Sequence, residues 1–203
     1  MIAIGCDHGG YELKLEIKKY LDEKGIEYKD VGCNGESCDY PDIAKDVCTL
    51  IQNGDAEKGI LICGTGIGIS IAANKHKGIR AALCTDSYMA QFTRLHNDSN
   101  VLCMGGRVIG GGVAVQITEA FLTTEFEGGR HQRRIDKISA LEEKGFDPLV
   151  YRYFCMQSHY RKNLVFSWEN LENARTAYGK LLQRIASLKN SQNPIDEAAF
   201  AEG

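Results

Sequence analysis

The sequence predicts a doubly wound α/β fold: a Rossmann-like parallel sheet of about five strands with an added C-terminal helical hairpin. Three observations carry this expectation. Short apolar runs that are unbroken, rather than alternating, suit strands buried on both faces of a parallel sheet. Amphipathic stretches of helical period separate those runs. Past Gly128-Gly129 only helical patterns remain.

In chain order, the expected strands are Ile2–Cys6, Glu27–Val31, Gly59–Cys63, Ile79–Cys84 and Asn100–Met104. In the helical stretch after the first of them, Leu13, Ile17, Tyr20 and Leu21 fall on one side, with Lys14, Lys18 and Lys19 elsewhere. After the third strand a glycine-rich turn, Gly64 to Gly68, leads into another helix. Arg130 to Lys144 reads as a helix, Asp147-Pro148 marks a boundary, and Leu149 to Lys162 reads as helical again. Ser167 is placed to cap a longer helix. There Leu171, Ala174, Tyr178, Leu181, Ile185 and Leu188 recur at steps of three and four, an apolar stripe that needs a partner surface, before Asn193-Pro194 stops it. Two domains are expected, residues 1–145 and a helical extension, 146–203.

The chain has 203 residues, 43% hydrophobic and 25% charged, with a formal net charge of -3. That balance suits one sizeable core and argues against a general nucleic-acid coat. No apolar stretch approaches the ~18 residues that span a bilayer. The first apolar run begins at Met1 itself, so no signal peptide is expected. Eight cysteines show no Cys-x-x-Cys spacing and four of them close apolar runs, so reduced thiols in a cytoplasmic protein are expected rather than disulfides. Cys33 and Cys38 have no matching second pair or nearby histidine and read as loop thiols rather than zinc ligands.

Ligands of open parallel sheets sit at the carboxyl ends of the strands. Three polar clusters occupy such ends: Asp7-His8, Cys63-Gly64-Thr65 and Gly105-Gly106-Arg107. His96-Asn97, just before the fifth strand, is expected to bend over the same rim. The turn Gly64-Thr65-Gly66-Ile67-Gly68 matches neither the dinucleotide fingerprint nor a nucleoside-triphosphate loop. It suits a small anion held on backbone amides at a helix N-terminus. The same amides would favour the thiolate of Cys63 as a nucleophile or base; the competing reading is a buried inert thiol, the one retained for Cys6, Cys84 and Cys103. Arg130 and Arg134, four apart, share a helix face and suit a phosphate. Histidines titrate near neutrality, so His8 and His96 are candidates for moving a proton to or from a sugar oxygen. His76, beside Lys75 and Lys77, reads as a solvated surface residue and His159 as structural, as do His131 and Arg133, which point elsewhere on a regular helix. No metal cluster or cofactor motif accompanies these groups. Together they fit metal-free proton transfer beside a carbonyl in a phosphorylated substrate.

The motifs Gly5-Cys-Asp7-His8-Gly-Gly, Asp39-Tyr40-Pro41, Cys63 through Lys75, Gly78-Ile-Arg80-Ala, His96-Asn97-Asp98 and Glu127 through Arg134 resemble, in order, those of type B ribose-5-phosphate isomerases. The resemblance runs from Met1 to about Ala140. It implies an aldose–ketose isomerisation between ribose 5-phosphate and ribulose 5-phosphate through a cis-enediolate, without metal or cofactor. It further implies a homodimer or homotetramer with active sites at the subunit interface. By that resemblance Cys63 is the base between C1 and C2, and His96 serves ring opening. Gly64, Gly66, Ile67 and Gly68 supply amides to the enediolate oxygen with Thr65 assisting, while Asp7, His8, Tyr40, Asn97, Arg107, Arg130 and Arg134 hold the sugar and its phosphate. Members that use a glutamate as base carry it six positions later, where this chain has Ile69.

The tail departs from that family. Gly145 to Pro148, Tyr151 to Arg161 and Phe166 to Leu171 resemble part of a cysteinyl-tRNA synthetase, without its nucleotide-binding signatures or zinc ligands. A helical packing element is expected there, not aminoacylation. Two other functions stay open on the sequence: isomerisation of a hexose 6-phosphate such as allose or galactose 6-phosphate, and non-catalytic sugar-phosphate binding. RNA binding by Arg152, Arg161, Lys162 and Arg175 is opposed by Glu169, Glu172 and Asp196.

Overall fold

In the computed structural model five strands pair in parallel: β1 (Ile2–Cys6), β2 (Tyr28–Asp30), β3 (Lys58–Cys63), β4 (Ala81–Leu83) and β5 (Val101–Gly105). Their order is β2-β1-β3-β5-β4, the doubly wound arrangement that the apolar runs predict. The structure describes residues 1–143, 150, 153–154 and 167–189. The expected helix over Leu149 to Lys162 lies outside the described residues, apart from Val150, Tyr153 and Phe154, and so do the boundary at Asp147-Pro148 and the stop at Asn193-Pro194.

The three central strands are buried along their whole length, because both faces of the sheet carry helices. On one face α1 (Tyr11–Glu23), α4 (Ser87–Asn97) and α5 (Gly111–Thr123) pack Leu13, Ile17, Leu21, Ala90, Ile117 and Phe121 onto Ile4, Ile60, Ile62, Leu102 and Met104. On the other, α2 (Tyr40–Gln52) and α3 (Ile67–Ala73) pack Ile43, Val47, Ile69 and Ala73 onto Leu61, Val101 and Cys103. The edge strands β2 and β4 are three residues each, shorter than the runs predicted, since each finds a ladder on one side only.

Lys14, off the apolar side of α1 in the sequence, is nonetheless enclosed. Its ammonium donates to Asp30 Oδ1 and the Cys33 carbonyl, both at 3.0 Å, while Lys18 holds Asp30 Oδ2 at 2.8 Å. Burial works against the Asp30 carboxylate, but hydrogen bonds from Lys18, Lys14 and Gly32 N–H hold its pKa below the ordinary 3.8.

The chain divides into two units, Met1–Ser139 and Ala140–Gly203. α6 (Arg130–Glu143) begins in the first. In the second, Ser167 Oγ accepts from Asn170 N–H at 3.1 Å and starts α7 (Trp168–Lys189), as the sequence predicts. Leu171 and Ala174 are buried with Val150 and Phe154, and Tyr178 packs on them. Farther along the described part of the stripe, Leu181 and Ile185, with Leu182 beside them, are exposed. Among the described residues no helix is long and apolar enough to cross a membrane.

Candidate active site

Three loops at the carboxyl ends of β1, β3 and β5 meet through their backbones. Gly106 N–H donates to the Cys63 carbonyl (2.8 Å) and Arg107 N–H to the Gly64 carbonyl (3.0 Å). The approach is close enough that a Cβ on Gly106 would sit 2.5 Å from the Gly9 carbonyl oxygen, and one on Gly9 would sit 3.0 Å from Gly64 N. Asp7 ends β1 buried, and its Oδ1 accepts from Gly9 N–H (2.8 Å) and Gly10 N–H (3.2 Å), fixing the turn that presents exposed His8.

Cys63, the last residue of β3, is 5% exposed, and its Sγ accepts from Gly66 N–H at 3.1 Å. That donor is aimed by a left-handed backbone (φ 77°) that glycine alone adopts without strain, and it lies at the start of α3. The contact fixes the direction in which the sulfur faces the turn. Thr65 is exposed and its Oγ1 accepts from Ile67 N–H at 3.3 Å. Tyr40 lies across Gly68, where a Cβ would meet its ring at 2.8 Å, and the exposed Arg107 runs past Gly64. Asp7, His8, Tyr40, Cys63, Gly64, Thr65, Gly66, Ile67, Gly68 and Arg107 therefore form one rim.

His96 and Asn97 do not join that rim. α4 runs antiparallel to the strands and carries them back to the amino ends. There Arg80, just before β4, donates from Nε to the Asn97 carbonyl (3.1 Å), and Asn100 N–H donates to the Arg80 carbonyl (3.1 Å). His96 instead meets the start of α6. Its ring stacks on His131 with centroids 4.0 Å apart and planes within 5°, while Phe92 meets it edge-on at 5.0 Å. Arg130 Nε donates to His131 Nε2 at 3.2 Å, and Arg130 and Arg134 are both exposed. Glu127 places Oε2 3.5 Å from His131 Nε2 and 4.0 Å from His96 Nε2. Burial first, then the charges of His96, Arg130 and Arg134, lower the His131 pKa from the ordinary 6.5 against the opposing pull of Glu127.

His131 and Glu127 are thus site neighbours that the sequence reading passed over. The available signal was their spacing of four across the start of α6, facing a histidine. His96, Glu127 and His131 bring ligand-type atoms within 4.8 Å of one another. However, the stacked rings keep their nitrogen lone pairs in two parallel planes, and Arg130 occupies His131 Nε2. The set is arranged for proton handling rather than for gripping a cation.

Beside His96 runs an apolar groove of about 360 Å³ lined by Leu83, Tyr88, Met89 and Phe92. Together with exposed Ile67 and Ile71 on α3, it makes an apolar band along the β4 edge from the Cys63 rim to the His96 end.

A thiol on an amide-lined turn, imidazoles and guanidinium groups on a five-stranded parallel sheet define an acid–base catalyst for a small anionic substrate. The chain belongs to the ribose/galactose isomerase family, whose profile matches residues 2–138. It is 51% identical over 144 residues to ribose-5-phosphate isomerase B of Escherichia coli, covering 70% of this chain and 97% of that one. Ribose-5-phosphate isomerase B of Clostridium thermocellum superposes with a TM-score of 0.70 at 51% identity, covering 71% of this chain and 99% of that one. The Mycoplasma genitalium enzyme, solved with bound ribulose 5-phosphate, gives 0.67 at 44% identity, covering 70% and 96%.

Proposed function

We propose that this chain interconverts ribose 5-phosphate and ribulose 5-phosphate through a cis-enediolate. The observation that carries this is Cys63 Sγ seated against Gly66 N–H on an anion-binding turn, in a chain that matches nearly the full length of ribose-5-phosphate isomerases. His96 protonates the ring oxygen O4 as the C1–O4 bond breaks, and the C1 hydroxyl releases its proton to solvent to leave an aldehyde. The Cys63 thiolate then takes the C2 proton. The electron pair forms the C1=C2 bond, and the charge on O1 is held by amides of Gly64 to Gly68 with Thr65. The O2 proton passes to O1, and Cys63 returns its proton to C1 to give the ketone. Arg107, Arg130 and Arg134 hold the phosphate, with Asp7, His8, Tyr40 and Asn97 around the sugar. Acid–base groups suffice, so no metal or cofactor is called for.

The two half-sites lie at opposite ends of one sheet, and this supports a homodimer, alone or paired into a tetramer, in which the Cys63 rim of one chain meets the His96 end of its partner. The apolar band joining them along β4 is the surface for that contact. Residues 1–145 form the isomerase domain and 146–203 a helical extension. Free thiols among the described residues fit a reducing, cytoplasmic location.

The test is ribulose 5-phosphate formation by the intact protein and by Cys63→Ala. A positioned acid–base group contributes about 10²–10⁴-fold, so a loss of that size in kcat is expected. Full activity in the variant removes Cys63 as base. Faster turnover of a hexose 6-phosphate reassigns the sugar, and binding without turnover makes this a non-catalytic sugar-phosphate protein.

A further inference from the structure

The ring of His96 is gripped on both sides, and the two sides differ. Phe92, one turn earlier on α4, offers only an edge, whereas His131 lies flat against it. His131 is 3% exposed, while the His96 side chain is one-third exposed (33%). Because Arg130 Nε–H points at His131 Nε2, that nitrogen carries a lone pair and the ring's proton sits on Nδ1. The charged groups around the pair are Glu127 from the α5–α6 connection and Arg130 and Arg134 from α6. Two stacked imidazoles cannot both take a proton without strong repulsion. One of them is buried and faces a guanidinium; the other reaches solvent, and the Glu127 carboxylate, 3.5 Å from His131 and 4.0 Å from His96, does not distinguish them in favour of His96.

We propose that His131 is a positioning residue for the isomerisation: a buried imidazole, kept neutral by Arg130 Nε–H on its Nε2, that fixes the plane of His96, anchors Arg130, and leaves the single proton of the pair to His96. The proposal rests on His96 serving ring opening. A phenyl ring could supply the flat platform, but only an imidazole supplies it together with an acceptor for Arg130. The pair thereby couples a phosphate-binding group to the ring-opening acid.

Ring opening and enolisation separate experimentally, because ribulose 5-phosphate is open-chain: its O5 carries the phosphate and no hydroxyl closes a furanose on C2. Deuterium uptake at C1 of ribulose 5-phosphate in D₂O reports Cys63 alone, whereas turnover of ribose 5-phosphate needs both groups. Both assays are run on the full chain and on His96→Ala, His131→Ala and His131→Phe, with a rate–pH profile for each. For His131→Ala, with both substrates saturating so that weakened phosphate binding does not enter, the expectation is a loss of roughly tenfold or more in ribose 5-phosphate turnover, deuterium uptake within about twofold of the intact chain, and a moved acid-side inflection. His131→Phe restores the platform and recovers most of the rate, but keeps a moved inflection because Arg130 has lost its acceptor Nε2. The proposal is overturned by intact turnover with an unmoved profile in His131→Ala, by equal losses in the two assays, or by a Phe variant as slow as the Ala variant. Full ribose 5-phosphate turnover in His96→Ala instead removes the role of His96, and the proposal with it.

Discussion

Mixing two inactive variants, Cys63→Ala and His96→Ala, tests directly whether each site is shared between two chains. Cys63 is level with Gly105 in the β3–β5 register, and Val101, level with Ala81, marks the other end of the ladder. From Gly105 back to Val101 is four steps of about 3.3 Å, or about 13 Å, and Asn97 is tied beyond it by Arg80. Proton transfer operates across about 3 Å, so these groups of one chain cannot serve one substrate. In a two-fold dimer each site draws Cys63 from one chain and His96 from the other. A mixed dimer then holds one site with both substitutions and one with neither. Random reassociation makes half of the dimers mixed, so about one quarter of the intact activity returns. The assay is ribulose 5-phosphate formation after joint unfolding and refolding of equimolar variants, against each variant treated alone, with native mass spectrometry to count mixed dimers. Mixed dimers that form and stay inactive refute the shared site.

Two further outcomes follow from local geometry. Gly66→Ala places a Cβ 2.5 Å from Leu83 Cδ1 and 2.8 Å from the Met104 carbonyl carbon, at a φ of 77°. The left-handed backbone costs about 1–2 kcal/mol and the overlap about 1–3, so Tm falls by several degrees and kcat falls with the misaimed N–H. An unchanged Tm and rate contradict that geometry. Asp30→Ala strands the buried Lys14 ammonium and is expected to cost about 3–5 kcal/mol at pH 7, whereas Lys14→Met costs far less. Because the folded state holds the Asp30 carboxyl below 3.8, its contribution is present above that pH and is lost as pH falls through the lowered value. Urea unfolding at pH 7 and pH 3 reads this; a gap between intact protein and Asp30→Ala that is equal at both is the contrary result.

The unbroken runs Ile2–Cys6 and Gly59–Cys63 announced central strands because burial on both faces leaves no polar position to break them. The β2 and β4 edges were overlong in the sequence reading, since an apolar run does not reveal how many neighbours a strand has. The Asp7, Cys63 and Arg107 clusters were legible because strand ends alone placed them. His96 was misplaced: its position just before β5 looked like rim proximity, but a helix between parallel strands must return to their amino ends. Lys14 could not be read at all, and His131 only through its spacing of four from Glu127. Each owes its environment to a partner distant in the chain, Asp30 in one case and His96 in the other. Helical periodicity reports which face a residue occupies, not what waits opposite it.

The backbone-to-backbone meeting of Gly9, Gly64 and Gly106 leaves the catalytic floor without adjustable parts. No side chain separates those loops, so none can be exchanged to enlarge or reshape the cradle under the sugar. Diversification toward longer or shorter phosphorylated sugars is therefore confined to the walls, at His8, Tyr40 and Arg107 and at whatever the neighbouring chain contributes. An engineer seeking a new substrate would leave the glycines alone and redesign that perimeter.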